Sequence, residues 1–317
     1  MTRWLRSFAL AAAAAALLLA GCATPQLDAL HARPPAGLPR QAQVAGVPII
    51  EQQDKYCGPA SLAMVLNWSG ETITQEAVAK QIYTPGKEGT LREDMLGGAR
   101  RHGQLAVKLD RLDDVLRELD AGHPVIVFQN LAFSWYPQWH FAVATGYDLD
   151  AGDGGEIVLH SGMKTEHRLP LSTFELTWAR GDHWALVVLP PDTLPATAGE
   201  HAVVQAAVAL ERVGQPQAAA QAYAAVLKRW PASLGGAIGL GNARYAAGDK
   251  AGAERAFREA TERHPDSPAA WNNLATVLSE LGRSKEAEAA ARRAIALAGE
   301  DAEPYRQTLR EIAARNK

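Results

Sequence analysis

Cys57 is the residue in this chain best placed to do covalent chemistry. It lies in Gln52-Gln53-Asp54-Lys55-Tyr56-Cys57-Gly58-Pro59-Ala60-Ser61, directly before an apolar run at helical spacing (Leu62, Ala63, Val65, Leu66). A thiol at a helix start meets unpaired backbone N–H groups and the positive end of the helix dipole, and both favour the nucleophilic thiolate. The placement therefore predicts a thiol pKa well below the ~8.5 of a free cysteine. Gln52, upstream of it, carries a side-chain amide able to hold a developing oxyanion. A thiol nucleophile needs a base within hydrogen-bond reach, and a histidine usually serves. Of the nine histidines, His31 falls in a Pro/Ala-rich stretch, His201 and His264 in the C-terminal third, and His102 and His123 at a helix end and a turn. His140 and His183 both head apolar strands, where an imidazole can face a helix N-terminus. His140 is preferred, because a buried strand precedes it and its own run closes on Gly146-Tyr147-Asp148.

An isolated cysteine otherwise reads as a small buried apolar residue. The cysteine inventory argues against that here. The chain has two, and Cys22 ends Leu19-Ala20-Gly21-Cys22, after Arg3, Arg6 and an apolar core from Phe8 to Leu19. This is the shape of a secretory signal over residues 1–21 and too short for a comfortable membrane span. The Leu-Ala-Gly-Cys ending resembles a bacterial lipoprotein signal, which implies that Cys22 is taken up by lipid and Cys57 has no intramolecular partner. A single free thiol in an exported protein is unusual, since oxidising compartments pair their cysteines, and it is better explained by chemistry than by structure.

Removing residues 1–21 takes away Arg3 and Arg6 and no acid, leaving 30 basic against 35 acidic residues and a net charge of −5. No basic run or basic patch interleaved with aromatics is present, so no nucleic-acid partner is expected. No Cys/His cluster has zinc spacing and no glycine-rich phosphate loop occurs, so neither a metal nor another cofactor is expected.

The elements that must position these residues follow from the patterning. Residues 22–45 are rich in Pro, Ala and Gln, lack periodicity, and read as a tether. The Cys57 helix ends near Gly70, and helices are predicted over 73–82, 91–102 and 112–121. Strands are predicted at Pro124–Phe128, His140–Tyr147, Glu156–His160 and Trp184–Leu189, the last stopped by Pro190-Pro191. Helices first and an antiparallel sheet afterwards give an α+β domain over 46–191, followed by a linker at 192–198. Beyond it, Gly214, Gly248 and Gly282 recur every 34 residues, as do Pro231 and Pro265. That is the period of the tetratricopeptide repeat, a helical hairpin stacked on its neighbours. Ala219, Ala253 and Ala287 fall at matching positions, with Tyr223 and Phe257 in the next layer. The repeats are placed at 199–231, 232–265 and 266–300, with a capping helix at 303–315. They form an all-α domain over 199–317 suited to a protein partner.

The motif Gln-x4-Cys-Gly-Pro-Ala-Ser, with His-Phe-Ala-Val-x2-Gly-Tyr-Asp some eighty residues later, resembles the papain-like bacteriocin-processing (double-glycine leader) cysteine peptidases. The lipoprotein resemblance, with lipid on Cys22, also implies a membrane association through it. Ala23 after that cysteine is, by analogy, compatible with the outer membrane, so the implied location is the cell envelope, facing the periplasm. The peptidase resemblance covers about 46–190 and implies Cys57 as nucleophile, His140 as general base and Gln52 as oxyanion-hole donor, acting on a peptide or protein substrate. A papain-like domain joined to a lipoprotein signal and tetratricopeptide repeats also resembles an envelope subgroup of these peptidases. The sequence departs from the family at the third catalytic position. The family places Asp or Asn on the strand after the histidine, whereas here that strand ends His160-Ser161-Gly162. Ser161 can orient an imidazole but cannot stabilise its charge as a carboxylate would, and Asp148, Asp150 and Asp153 belong to the preceding loop. The alternatives that follow are a peptidase fold that binds peptide or protein without efficient turnover, and acyl transfer to an amine in place of hydrolysis.

Overall fold

The computed structural model describes residues 24–162 and 164–315. The expected signal segment and Cys22 lie outside the described residues. The chain divides into two compact units, one taking in residues up to 95 with 108–187, the other 96–107 with 188 onward.

The first unit is an α+β fold. Its helices are α1 (Pro25–Ala32), α2 (Cys57–Trp68), α3 (Gln75–Ile82), α4 (Arg92–Arg101, which runs on past the unit's boundary), α5 (Leu112–Asp120) and α6 (Leu171–Ala179). Its strands include β1 (Gln41–Gln43), β5 (Val125–Asn130), β6 (Trp139–Asp148), β7 (Glu156–Ser161) and β8 (Lys164–Pro170), while β4 (Leu105–Leu109) and β9 (Ala185–Leu189) run across the unit's boundary. The sheet runs β9-β5-β6-β7-β8, and β1 joins it along the far end of β6. Each of these pairings is antiparallel. A short hairpin of β2 (Tyr83–Thr84) and β3 (Gly89–Thr90) stands apart. Val125, Ile126 and Val127 are fully buried and read as a continuous apolar strand because both faces of β5 are covered.

The tether expectation is corrected by α1 and β1. Leu27 and Leu30 of α1 are buried, as is Val44 just after β1. Glu175 of α6, itself wholly buried, accepts hydrogen bonds from the backbone N–H of Gln26 (2.8 Å) and of Leu27 (2.7 Å). A carboxylate is thus seated on the first turn of α1, where the helix dipole favours it and the N–H groups lack intrahelical partners. Gln26 in turn accepts from Leu112 N at the start of α5 and donates to Asp110 O. The partners lie far away in sequence, so composition alone could not show that this segment docks. Glu175→Ala should leave buried N–H groups unpaired and cost on the order of 3 kcal/mol. Urea unfolding would show this as a lower midpoint at unchanged slope, and a change below about 0.5 kcal/mol would mean the helix is not docked in solution.

The second unit contains helix pairs α7/α8 (Glu200–Arg212, Pro216–Arg229), α9/α10 (Leu234–Ala246, Lys250–Arg263) and α11/α12 (Pro268–Glu280, Ser284–Ala298), followed by α13 (Glu303–Arg315). The periodic glycines 214, 248 and 282 all have φ between 75° and 84° and close the turn inside each pair, the left-handed conformation that only glycine adopts without cost. Ala219, Ala253 and Ala287 are fully buried. The Tyr223 and Phe257 rings lie over Gly239 and Gly241, where any Cβ would enter the ring. The repeat period therefore marks real packing positions.

Candidate active site

Cys57 is the first residue of α2, as the apolar spacing predicts. Pro59 is tolerated there because its missing N–H belongs to the first turn, where no intrahelical partner exists. Gly58 through Leu66 are all buried, and the helix packs against β6 and β3. The helix that carries the thiol thus lies on the strand that carries His140. Gly58 cannot be larger, since a Cβ there would stand 2.6 Å from Thr90 Cβ.

His140 is the second residue of β6, opposite Gln129 of β5. Its Nε2 is 2.7 Å from Ser161 Oγ at the end of β7. Ser161 therefore holds the imidazole by Nε2 and leaves Nδ1 as its other ring nitrogen. For Nδ1 to accept a proton, Nε2 must carry the hydrogen and donate it to Ser161 Oγ. Gln52, Cys57 and His140 line one cleft of about 800 Å³. Gln52 also approaches the turn after β7, its Oε1 being 3.9 Å from where a Cβ on Gly162 would sit. The structure brings Gln52, Cys57, His140 and Ser161 to one place.

The electrostatics correct one expectation. Burial pushes the Cys57 thiol up, and outweighs the backbone N–H groups of Phe141, Gly58 and Cys57 that stabilise the thiolate. The helix start is where the sequence predicts it, but desolvation wins. Burial also lowers His140 to about 4, with no carboxylate against it. At pH 7 both groups are therefore neutral, the thiol because burial raises it and the imidazole because burial lowers it.

The rest of the cleft has little local signature in the sequence. Trp139, half-exposed, stacks on Phe128 with centroids 5.1 Å apart and planes at 12°. Arg92 also lies over the Phe128 ring, its Cζ 5.6 Å from the centroid, and pairs with Asp182 at 2.9 Å. Lys55 and Glu88, which also line the cleft, pair at 2.9 Å, a contact too exposed to contribute much. The Arg92 and Lys55 pairings join residues tens of positions apart, and no local pattern announces them. Trp139 alone carries a signal, as the neighbour of the predicted base. Ahead of it in the chain, the β5–β6 hairpin presents Phe133, Trp135 and Tyr136 to solvent. Its turn is fixed by Asn130 Oδ1, which accepts from Ala132 N and Gln138 N.

The other candidate base, His183, does not line the cleft. It sits in a left-handed conformation (φ 49°) with its ring edge-on to buried Trp178, 4.9 Å between centroids. Among the described residues no group of three or more His, Cys, Asp or Glu is placed to hold a metal, and no helix is long and apolar enough to cross a membrane.

Residues 44–183 match the Peptidase_C39 like family, and residues 204–253 and 238–302 match the tetratricopeptide repeat. The chain carries a peptidase C39-like domain followed by tetratricopeptide repeats. No curated protein matches it. Among solved structures, a double glycine motif protease from an AMS/PCAT transporter, in complex with the leader peptide, is 22% identical over 46% of this chain and 93% of its own, with a TM-score of 0.35. The type III secretion translocator chaperone SycD of Yersinia enterocolitica is 18% identical over 36% of this chain and 83% of its own, at a TM-score of 0.34. A thermophilic tetratricopeptide-repeat protein of Thermus thermophilus is 23% identical over 38% of this chain and 66% of its own, at 0.35. The C39-like match covers every residue of the cleft described above.

Proposed function

We propose that the C39-like domain is a cysteine peptidase whose nucleophile is Cys57. The observation that carries this reading is the convergence of Cys57, His140 and Gln52 on one cleft, with His140 held by Ser161. His140 Nδ1 takes the thiol proton as Sγ attacks the peptide carbonyl, and Gln52 donates to the oxyanion. The imidazolium returns that proton to the leaving amine, giving a thioester, and His140 then activates the water that hydrolyses it. The tetratricopeptide repeats recruit a protein partner or the substrate. Lipid on Cys22 would hold the protein at the bacterial outer membrane, facing the periplasm.

One observation favours a second reading, in which the domain binds peptide and turns it over poorly. Both reacting groups are neutral at rest, and a serine stands where a carboxylate would stabilise the imidazolium. Treating the mature chain, carrying Cys22→Ser so that Cys57 is its single thiol, with a peptide bearing a thiol-directed electrophile distinguishes the two. The peptidase reading expects one adduct on Cys57 by mass, and none in Cys57→Ala. Labelling no faster than that of a free cysteine in a small peptide would sink it.

A further inference from the structure

Helix α1 and the segment after it form one wall of a second groove, about 790 Å³ in volume, whose opposite wall is α5. Its lining combines an apolar surface (Leu30, Pro34) with three guanidinium groups (Arg33, Arg111, Arg117) and one carboxylate, Asp113. Asp113 is taken up by Arg117 at 3.1 Å. Among the described residues Arg33 and Arg111 have no ion-pair partner, although Arg111 acts on Asp114 at longer range. Arg33, and Arg111 with only the Asp114 carboxylate acting on it at longer range, set two guanidinium groups free of direct ion pairs beside an apolar wall. That suits an amphiphile whose anionic end is a phosphate, a group that arginine binds through paired N–H donors.

The position of the groove adds a second argument. α1 begins at Pro25, three residues after Cys22, and its N-terminus is fixed by Glu175. Three extended residues span at most about 11 Å. Lipid on Cys22 would therefore hold the start of α1 within about 11 Å of its attachment point and keep the groove close to the membrane surface, not at the end of a long tether. The membrane setting rests on the lipid-anchored reading above.

We propose that this groove binds the phosphate of an anionic phospholipid headgroup, with Arg33 and Arg111 as the ligands and Leu30 and Pro34 against its apolar part. The test uses the mature chain, residues 22–317, carrying Cys22→Ser so that no lipid is attached. Co-sedimentation should occur with vesicles of phosphatidylcholine and phosphatidylglycerol, and not with phosphatidylcholine alone. The double variant Arg33→Gln/Arg111→Gln should weaken that binding roughly thirtyfold, the loss expected for two arginines near an anionic surface. Its thermal unfolding should be unchanged, since neither side chain has an ion pair to lose. Equal vesicle binding by both proteins, or none by either, overturns the proposal. Stabilisation by inorganic phosphate that the double variant loses, without vesicle binding, overturns the lipid assignment in favour of a soluble phosphate ligand. Whether Cys22 carries lipid is read separately from the mass of the protein isolated from its native membrane, so failure of the anchor and failure of the groove are told apart.

Discussion

His140→Ala is expected to slow covalent labelling of Cys57 at pH 7 by about 10²- to 10⁴-fold, the usual worth of a positioned base. The loss should shrink as pH rises. Burial has pushed the Cys57 thiol up, so above that raised pKa the thiolate forms without help and the variant approaches the wild type. At the acid end the sign is equally definite. A base must be neutral to accept a proton, and His140 is neutral above about 4, so wild-type labelling should persist through mildly acidic solution and fall only as pH drops through about 4. The comparison needs rate against pH for three proteins: wild type, His140→Ala and Cys57→Ala. Equal rates for the first two at pH 7 would remove His140 from the mechanism. A wild-type profile with its midpoint well below that of a free thiol would show that the helix dipole and amides outweigh burial after all.

The parts of the site legible in the sequence are those encoded locally. An apolar run at helical spacing after Cys57, and an apolar run after His140, place these two residues at the ends of a helix and a strand. Ser161 is legible for the same reason, as the last residue of its strand. The repeats are legible because a turn glycine and a packed alanine recur at a fixed interval. What stays hidden depends on distant partners. The docking of α1 rests on Glu175, 148 residues from Leu27. The aromatic and charged walls of the cleft rest on Phe128 with Trp139 and on Arg92 with Asp182. The direction of the thiol pKa is not legible, because the helix-end effect is visible in the sequence and the depth of burial is not. The strand β8 and helix α6, over residues 164–179, carry too mixed a pattern to be assigned.

The serine at position 161 gives the sharpest test of what limits this site. Its hydroxyl, 2.7 Å from His140 Nε2, holds the ring but offers no charge. Ser161→Asp would place a carboxylate beside that nitrogen. A carboxylate at such a distance favours the protonated ring and raises an imidazole pKa by about 1–3 units. The thiolate–imidazolium pair gains the same stabilisation, so the thiol should ionise at lower pH. Labelling of Cys57 at pH 7 should then rise by on the order of 10²-fold, and the midpoint of its pH profile should move down. Ser161→Ala should move the rate the other way, by about tenfold, through loss of ring orientation alone. The two substitutions separate charge from geometry. If Ser161→Asp gives no acceleration while the protein unfolds at its usual temperature, imidazole basicity is not the limit. The domain would then be better described as a peptide-binding scaffold with a reactive thiol. If the acceleration appears, the resting neutrality of Cys57 and His140 reflects one missing charge in an otherwise complete site.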